Sequence, residues 1–233
     1  MTTPLTVFYT NTAGTTKSTS YQLSITHGVD NVNVTQDYTL VGTALNFGEL
    51  FAQGVANAWG AAGAIGNPSG NGFMLEAATL NLAGNNISAG AWSANIRLVC
   101  GHTDGTQVGT LTGCEIHVRA FRYRGGIYSQ IIDMSTTNKT INATITTYAL
   151  SGTTSGAITF LSGDLLYTDA WVGIGANANA DAALNIRLNR LSTNFTGDTN
   201  AQIVTPGYVT TPPVVTTGPA YIKSRLASFG RVA

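Results

Sequence analysis

Short runs with the periodicity of β-strands recur along almost the whole chain, and they limit the folds open to it. In these runs β-branched, aromatic and alternating apolar residues are bounded by Gly, Asn, Asp and Ser, the pattern of strands separated by turns. The runs cover residues 5–10, 19–26, 37–42, 73–82, 93–100, 114–124, 127–134, 139–150, 157–161, 165–175 and 182–191. Strands this closely spaced leave no room for the helices of a parallel α/β sheet. The sequence therefore predicts an all-β protein, a jelly-roll-like antiparallel β-sandwich.

Alternation within two of the runs assigns their faces, because successive side chains of a strand point to opposite sides. The apolar set on one side is Ala94, Ile96, Leu98 and Cys100 in the first run and Cys114, Ile116, Val118 and Ala120 in the second. We expect these sets to face the core. The other side of the second run carries Glu115, His117 and Arg119, which we expect to form a polar outward face with local ion pairs.

One segment departs from the strand period. "NFGELFAQGVANAWG", residues 46–60, places Leu50, Val55 and Trp59 at helical spacing, with Asn46 as a candidate N-cap. Gly54 weakens the pattern, since glycine costs about 1 kcal/mol relative to alanine inside a helix. The sequence predicts one short helix here.

The last part of the chain has a different composition. Four of the six prolines lie between Pro206 and Pro219, which predicts an extended arm without ladder hydrogen bonds. We therefore predict a single β-sandwich domain over residues 1–205, with 1–70 as an alternative separate sub-region or arm, and a C-terminal arm over 206–233.

The end of the arm, "AYIKSRLASFGRVA", combines an apolar helical stripe with local positive charge. Such a segment is suited to docking onto a neighbouring subunit. The predicted partner-binding residues are Tyr221, Ile222, Lys223, Arg225, Leu226, Phe229 and Arg231. The alternative is that the segment folds back on its own domain.

Charge is scarce: 9% of the residues are charged, and the formal net charge is zero. An ordinary soluble domain has roughly 25% charged residues, so this surface must consist largely of hydroxyls and amides. A neutral chain creates no field that attracts nucleic acid or an anionic membrane, and neither is expected as a partner. The beginning of the sequence lacks the pattern of a signal peptide, and no apolar stretch approaches a membrane span, so we expect neither export by the usual route nor insertion.

Two aspartates in "SGDLLYTDAWVGIG", residues 162–175, resemble a catalytic carboxylate pair. Residues five apart in an extended run point to opposite faces, and the preceding Ser-Gly makes Asp164 a turn residue. We therefore predict a turn followed by a strand that carries Tyr167 and Trp171 on one side. With no nucleophile elbow and no phosphate-binding glycine loop, the chain is predicted not to be an enzyme and to need no cofactor.

The spacing of Cys100, His102, Cys114 and His117 imitates a zinc site. Cys114 and His117 fall on opposite faces of one strand, which argues against a shared metal. A disulfide between Cys100 and Cys114 is an alternative, but free buried thiols are favoured in a chain without an export signal.

Aromatic side chains raise a further alternative, because exposed rings stack on sugars. The candidates are Trp59, Trp92, Trp171, Tyr123 and Tyr128. Tryptophan is also an ordinary core residue of a β-sandwich, so the sequence leaves glycan binding open.

A set of segments in fixed order resembles β-sandwich modules that recur in bacteriophage virion proteins, on capsids and in tails. The segments are "TTYALSG", "SGDLLYTDAWVGI", "LNIRL" and "NFTGDTNAQIVTPGY", and the resemblance spans residues 72–208. It implies a structural role and supplies no catalytic residue.

The resulting expectation is a capsid decoration or cement protein that stabilises a phage head. Its partners would be the major capsid protein or tail proteins, together with further copies of itself in a homo-oligomer. Its location would be the virion, assembled in the host cytoplasm. The alternatives are a tail, baseplate or fibre component and a carbohydrate-binding β-sandwich module, with a glycan as partner.

Overall fold

The computed structural model describes the chain in separate stretches, and every structural statement below refers to them. They are residues 3–13, 21–24, 31–39, 45–50, 63–68, 72–75, 85–98, 100–102, 110–144, 146–177, 185–192 and 202–210. None of these stretches is helical, and none forms a helix that is long and apolar enough to cross a membrane.

Most of the described residues lie in strands and none lies in a helix, so the all-β prediction is confirmed. The strands are β1 (Thr3–Ala13), β2 (Tyr21–Ser24), β3 (Asn31–Thr39), β4 (Asn46–Glu49), β5 (Phe73–Leu75), β6 (Asn85–Ile87), β7 (Gly90–Leu98), β8 (Cys100–His102), β9 (Thr110–Arg124), β10 (Ile127–Asn142), β11 (Thr146–Thr154), β12 (Ile158–Thr159), β13 (Leu165–Ile174), β14 (Ala176–Asn177), β15 (Asn185–Ser192) and β16 (Gln202–Thr210). Strands β3, β15 and β8 make a separate three-stranded sheet.

The other strands form one large sheet that curls almost into a closed barrel, consistent with a jelly-roll-like sandwich. Neighbours run in the order β10, β9, β13, β5, β2, β1, β16, and then β7 and β11. All of these pairs are antiparallel except β2 with β5, which is parallel. This pair joins the two walls of the structure, β10-β9-β13-β5 and β2-β1-β16-β7-β11. The two end strands, β10 and β11, meet without a backbone ladder among the described residues, and the hydroxyl of Tyr148 donates to the carbonyl of Thr140 at 2.6 Å. We call this junction the seam.

Local turn chemistry explains why β9 and β10 form a long hairpin. Gly125 and Gly126 both have positive φ, 55° and 89°, as a two-residue type I′ turn requires. At the other end of β10, Asn142 Oδ1 accepts a hydrogen bond from the amide of Thr144 at 2.9 Å. This Asx turn divides the run 139–150, which the sequence predicts as one strand, between β10 and β11.

The core lies between the two walls. Its members include the apolar sets predicted from alternation: Ala94, Ile96 and Leu98 on β7, and Cys114, Ile116, Val118 and Ala120 on β9, all buried. The side chain of Cys100 lies outside the described residues. The face assignment is confirmed for the other seven positions.

The expected lack of ladder hydrogen bonds from Pro206 onward is wrong for residues 206–210, while the division into a domain and an arm stays a prediction. Strand β16 continues through Pro206 to Thr210 and pairs with β1 and β6. Thr205 and Pro206 together oppose the single residue Leu5, so the proline sits in a β-bulge, where its missing N–H leaves no gap in the ladder. The amide of Leu5 donates instead to Thr205 Oγ1 at 3.2 Å. Residues 211–233 lie outside the described residues.

The predicted helix at 46–60 is wrong in its first turn. Asn46–Glu49 is strand β4, which pairs with Trp171–Ile174 of β13. The free edge of β13 supplies backbone partners that an isolated helical turn lacks, and this tertiary pairing overrides the local spacing. Residues 51–62, including Trp59, lie outside the described residues, so a helix there stays a prediction.

Candidate functional site

Strand β13 is buried on both faces along its whole length of ten residues. All of its residues, Leu165–Ile174, are buried. Leu166, Ala170 and Val172 belong to the main core. Residues of the opposite parity face away from that core, and they include Tyr167, Asp169 and Trp171. The prediction that Tyr167 and Trp171 share one side of a strand is confirmed.

Residues from an earlier part of the chain cover this second face. A Cβ at Gly66 would lie 2.8 Å from Trp171 Cη2, so the backbone there touches the indole ring. The amide of Gly72 donates to the hydroxyl of Tyr167 at 2.8 Å. Phe47 of β4 contacts the ring of His117 edge to face at 5.6 Å between centroids. The face is thus an interior layer, covered among the described residues by Phe47, Gly66 and Gly72.

This cover overturns the expectation that Glu115, His117 and Arg119 form an outward polar face. His117 and Arg119 are buried, at 7% and 6% exposure. Alternation placed them correctly on the side away from the core. Alternation could not show that other residues cover this side of β9, because those residues are distant in sequence.

Arg119 and Asp169 form a buried ion pair at the centre of the layer. Arg119 Nε donates to Asp169 Oδ1 at 2.8 Å, and Nη2 donates to Oδ2. Trp171 Nε1 donates to the same carboxylate at 3.1 Å. The guanidinium also lies over the rings of Phe121 and Trp171, 5.0 and 5.4 Å from their centroids. Burial raises the pKa of Asp169, and the hydrogen bonds and charge of Arg119 offset part of that rise.

His117 lies beside this pair, held by two carboxylates. Its Nδ1 is 2.9 Å from Asp133 Oδ1, and its Nε2 is 3.1 Å from Glu115 Oε1. Both ring nitrogens can donate only in the imidazolium form. Burial lowers the pKa of His117, but the hydrogen bonds and charges of Asp133 and Glu115 outweigh it, so the pKa lies above its ordinary value. Of the local ion pairs expected from the sequence, the one between His117 and Glu115 is present.

Asp164 has a separate structural task, as the turn assignment predicts. Gly163 adopts a φ of 85° in the turn before β13. One oxygen of the Asp164 carboxylate accepts the amide of Leu161 at 2.8 Å, and both oxygens accept Nε and Nη2 of Arg124. The hydrogen bond from Arg124 lowers the pKa of Asp164. Asp164 and Asp169 therefore bind different arginines and serve as anchors of a turn and of an interior layer.

Of the four residues with zinc-like spacing, the two whose side chains are described, Cys114 and His117, lie on opposite faces of β9. Cys114 is a buried free thiol on the core face of β9, and burial raises its pKa to about 12. His117 points to the opposite face, while the side chains of Cys100 and His102 lie outside the described residues. Within the described stretches, no three His, Cys, Asp or Glu side chains form a group that could hold a metal ion.

Two of the tryptophans considered for sugar stacking are core residues. Trp92 and Trp171 are 1% and 2% exposed, so neither ring is available to a ligand. Tyr123 and Tyr128 are half-buried and contact each other at a tilt of 49°, with ring centroids 4.9 Å apart. The predicted partner-binding residues from Tyr221 to Arg231 lie outside the described residues.

An open cavity of about 510 Å³ lies at one end of the seam. On one side of it, Ile132 packs so closely on Gly152 that a Cβ there would be 2.8 Å from Ile132 Cδ1. Beyond this contact the lining comes from both strands and from the residues after β11. The lining residues are Arg122, Ser129, Gln130, Ile131, Thr153, Thr154, Ser155, Gly156, Ala157, Ile158 and Thr159.

Sequence reasoning missed both the interior ion pair and this cavity. Asp169 is the single charged residue of the run 165–175, which was the available signal that it needs a partner of opposite charge. The cavity has no signal in sequence, because its walls meet only through the curvature of the sheet.

Comparisons with known proteins identify no family for this chain. No family model matches the chain, and no curated protein matches it in sequence. Among solved structures, the Eiger TNF from S. frugiperda is similar over 78% of this chain and 93% of its own, with 11% identity and a TM-score of 0.31. A likeness of this strength says nothing about function.

Proposed function

We propose that this chain is a structural subunit of a bacteriophage virion, a decoration or cement protein that stabilises the head through contacts with neighbouring subunits. The role is structural rather than catalytic. In the interior layer, Asp169 is bound to Arg119 and His117 is bound to Asp133, contacts that hold the fold together.

The observation that carries the proposal is the chemistry of the exposed surface. Among the exposed residues of 110–144 and 146–175, Asp133 is the only charged one, and hydroxyl side chains predominate. Protein interfaces are depleted in Lys, Glu and Asp, and also in Ser, so the scarcity of charge is the property of this surface that fits an interface. A serine or threonine loses less rotamer entropy than a lysine or glutamate when it is immobilised. Covering such a surface with another subunit costs little free energy, because few charges lose their hydration and few long side chains are immobilised.

The C-terminal residues supply a second line of support, from sequence alone. The stripe of Tyr221, Leu226 and Phe229, with its adjacent basic residues, suits docking onto a neighbour. Strand β16 ends at Thr210, so the segment that follows it is the natural unit to remove in a test.

Co-sedimentation with phage particles tests the proposal. In gradient-fractionated lysate of the infected host, the protein should migrate with heads. A protein that stays with the free proteins at the top of the gradient refutes the virion role. Migration with tails instead supports the tail, baseplate or fibre alternative.

A truncated variant tests the role of the C-terminal arm. Deletion of residues 211–233 leaves β16 intact, unlike deletion from 206, and should reduce head occupancy. A second, full-length variant, L226D/F229D, places charge in the apolar stripe and keeps the length of the chain, and it should reduce head occupancy as well. Undiminished head occupancy in both variants would show that the C-terminal arm does not bind the head.

A further inference from the structure

We infer that the cavity at the open end of the seam binds an acidic side chain presented by an extended segment of a partner protein. This inference rests on the proposed structural function, because it names the chemistry of one contact with a neighbouring subunit. Three properties of the cavity support it: two free strand edges, an arginine that forms no ion pair within the described residues, and a lining of hydroxyls.

Two strand edges without ladder partners face the cavity. Ser129 and Gln130 of β10 pair with Arg122 and Phe121 of β9, and among the described residues β10 has no ladder on its other edge. Thr153 and Thr154 of β11 pair only with β7 within the same part of the structure. Backbone N–H and C=O groups on such edges are free to pair with an added strand. An extended peptide is therefore the shape of ligand that this gap accommodates.

Arg122 gives the cavity its charge preference. The other two arginines of β9 each form an ion pair, Arg119 with Asp169 and Arg124 with Asp164. Arg122 instead donates Nη1 to the carbonyl of Thr159 at 3.2 Å, and its buried Nε has no hydrogen-bond partner in the described structure.

No residue lining the cavity carries a carboxylate. The nearby carboxylate of Asp164 is already bound by Arg124 and by the amide of Leu161. A guanidinium in this position favours a carboxylate ligand, because charge-assisted hydrogen bonds of this kind are roughly twice as strong as neutral ones.

The remaining lining separates an acidic peptide from an acidic sugar. Ser129, Thr153 and Thr159 provide hydroxyls for backbone and carboxylate oxygens, while Ile131 and Ile158 are half-buried beside the core. None of the lining residues is aromatic, so the cavity lacks a ring on which a sugar would stack. A side chain with an aliphatic stem and a carboxylate, as in glutamate, matches both the apolar and the charged parts.

The test is an NMR titration of the purified, 15N-labelled chain. The probes are two blocked peptides, acetyl-Thr-Val-Glu-Val-Thr-amide and the same peptide with Gln in place of Glu. We expect the Glu peptide to shift the amide resonances of Ser129, Gln130 and residues 153–159, and to bind at least tenfold more tightly than the Gln peptide. R122Q should abolish this preference, and K139Q, which removes a positive charge from β10 outside the cavity, should keep it.

R122K serves as a second variant, because it retains the charge without the planar fork; its preference should fall between those of wild type and R122Q. Equal binding of the two peptides, or no shift of the cavity resonances, overturns the inference. A response to D-glucuronate in the absence of a response to the Glu peptide overturns it in favour of an acidic sugar. The titration needs no particles, so its failure is distinguishable from a failure to co-sediment with heads.

Discussion

Removal of one partner of the interior ion pair between Arg119 and Asp169 should strongly destabilise the protein. In D169N the shape of the side chain is nearly conserved, so the change leaves no cavity, but the guanidinium of Arg119 stays buried at 6% exposure without a counter-charge. Breaking a buried pair in this way costs about 3–5 kcal/mol. For a chain of about this size, each kcal/mol corresponds to a fall of roughly 2–4 °C in Tm. The expected fall is therefore about 6–20 °C.

Urea unfolding followed by far-UV circular dichroism measures this loss, because the tryptophan signal would itself respond to a change beside Trp171. The set of variants is D169N, R119M and the double R119M/D169N. The double variant removes both charges, so its loss should be smaller than the sum of the single losses by about 0.5–3 kcal/mol. R124M is the matched control, since Arg124 is 42% exposed and Asp164 keeps its bond from Leu161. Its loss should be smaller than that of D169N.

Two results would refute this reasoning. A loss below about 1 kcal/mol in D169N is the range of a solvent-exposed pair and would mean that water reaches the carboxylate. Additive losses in the double variant would mean that the two side chains act independently.

Three further predictions follow from the same layer and the core. His117 has a raised pKa, so its stabilising contribution should be complete below about pH 6.5 and lost as pH rises through the folded-state value. The stability difference between wild type and H117Q, measured by urea unfolding from pH 5.5 to 9, should shrink with pH, and growth with pH would contradict this. Y167F leaves the amide of Gly72 without its partner and should cost about 1–3 kcal/mol by the same method; no loss would mean that water replaces the hydroxyl. Cys114, with a pKa raised to about 12, should stay unreactive to a disulfide reagent in the native protein and react in urea, as followed by mass spectrometry; rapid native labelling at this position would show that the core opens.

The strand pattern predicted the sides of β7 and β9 correctly because alternation is a local property of extended backbone. Ala94, Ile96 and Val118 face the core for this reason. Turn residues were equally readable, since the Gly125-Gly126 turn and the turn at Asp164 depend on backbone preferences of a few adjacent residues.

The candidate site was less predictable, because it depends on which distant segments meet. Asp169 and Arg119 are 50 positions apart and pair only because β9 and β13 are neighbours in the sheet. The first turn of the expected helix became β4 because the edge of β13 was available to it. Pro206 remained in a strand because a bulge opposite Leu5 absorbs its missing N–H.

By itself, the sequence determined that this protein is built of strands, where several of them turn, and which side of β7 and of β9 is apolar, because these properties depend on residues within a few positions of one another. Only the tertiary structure decided that the polar side of β9 and β13 is an interior layer, and that β10 and β11 meet at a seam with an open, arginine-lined end. Both depend on contacts between residues far apart in the chain, whose free energy no local pattern records.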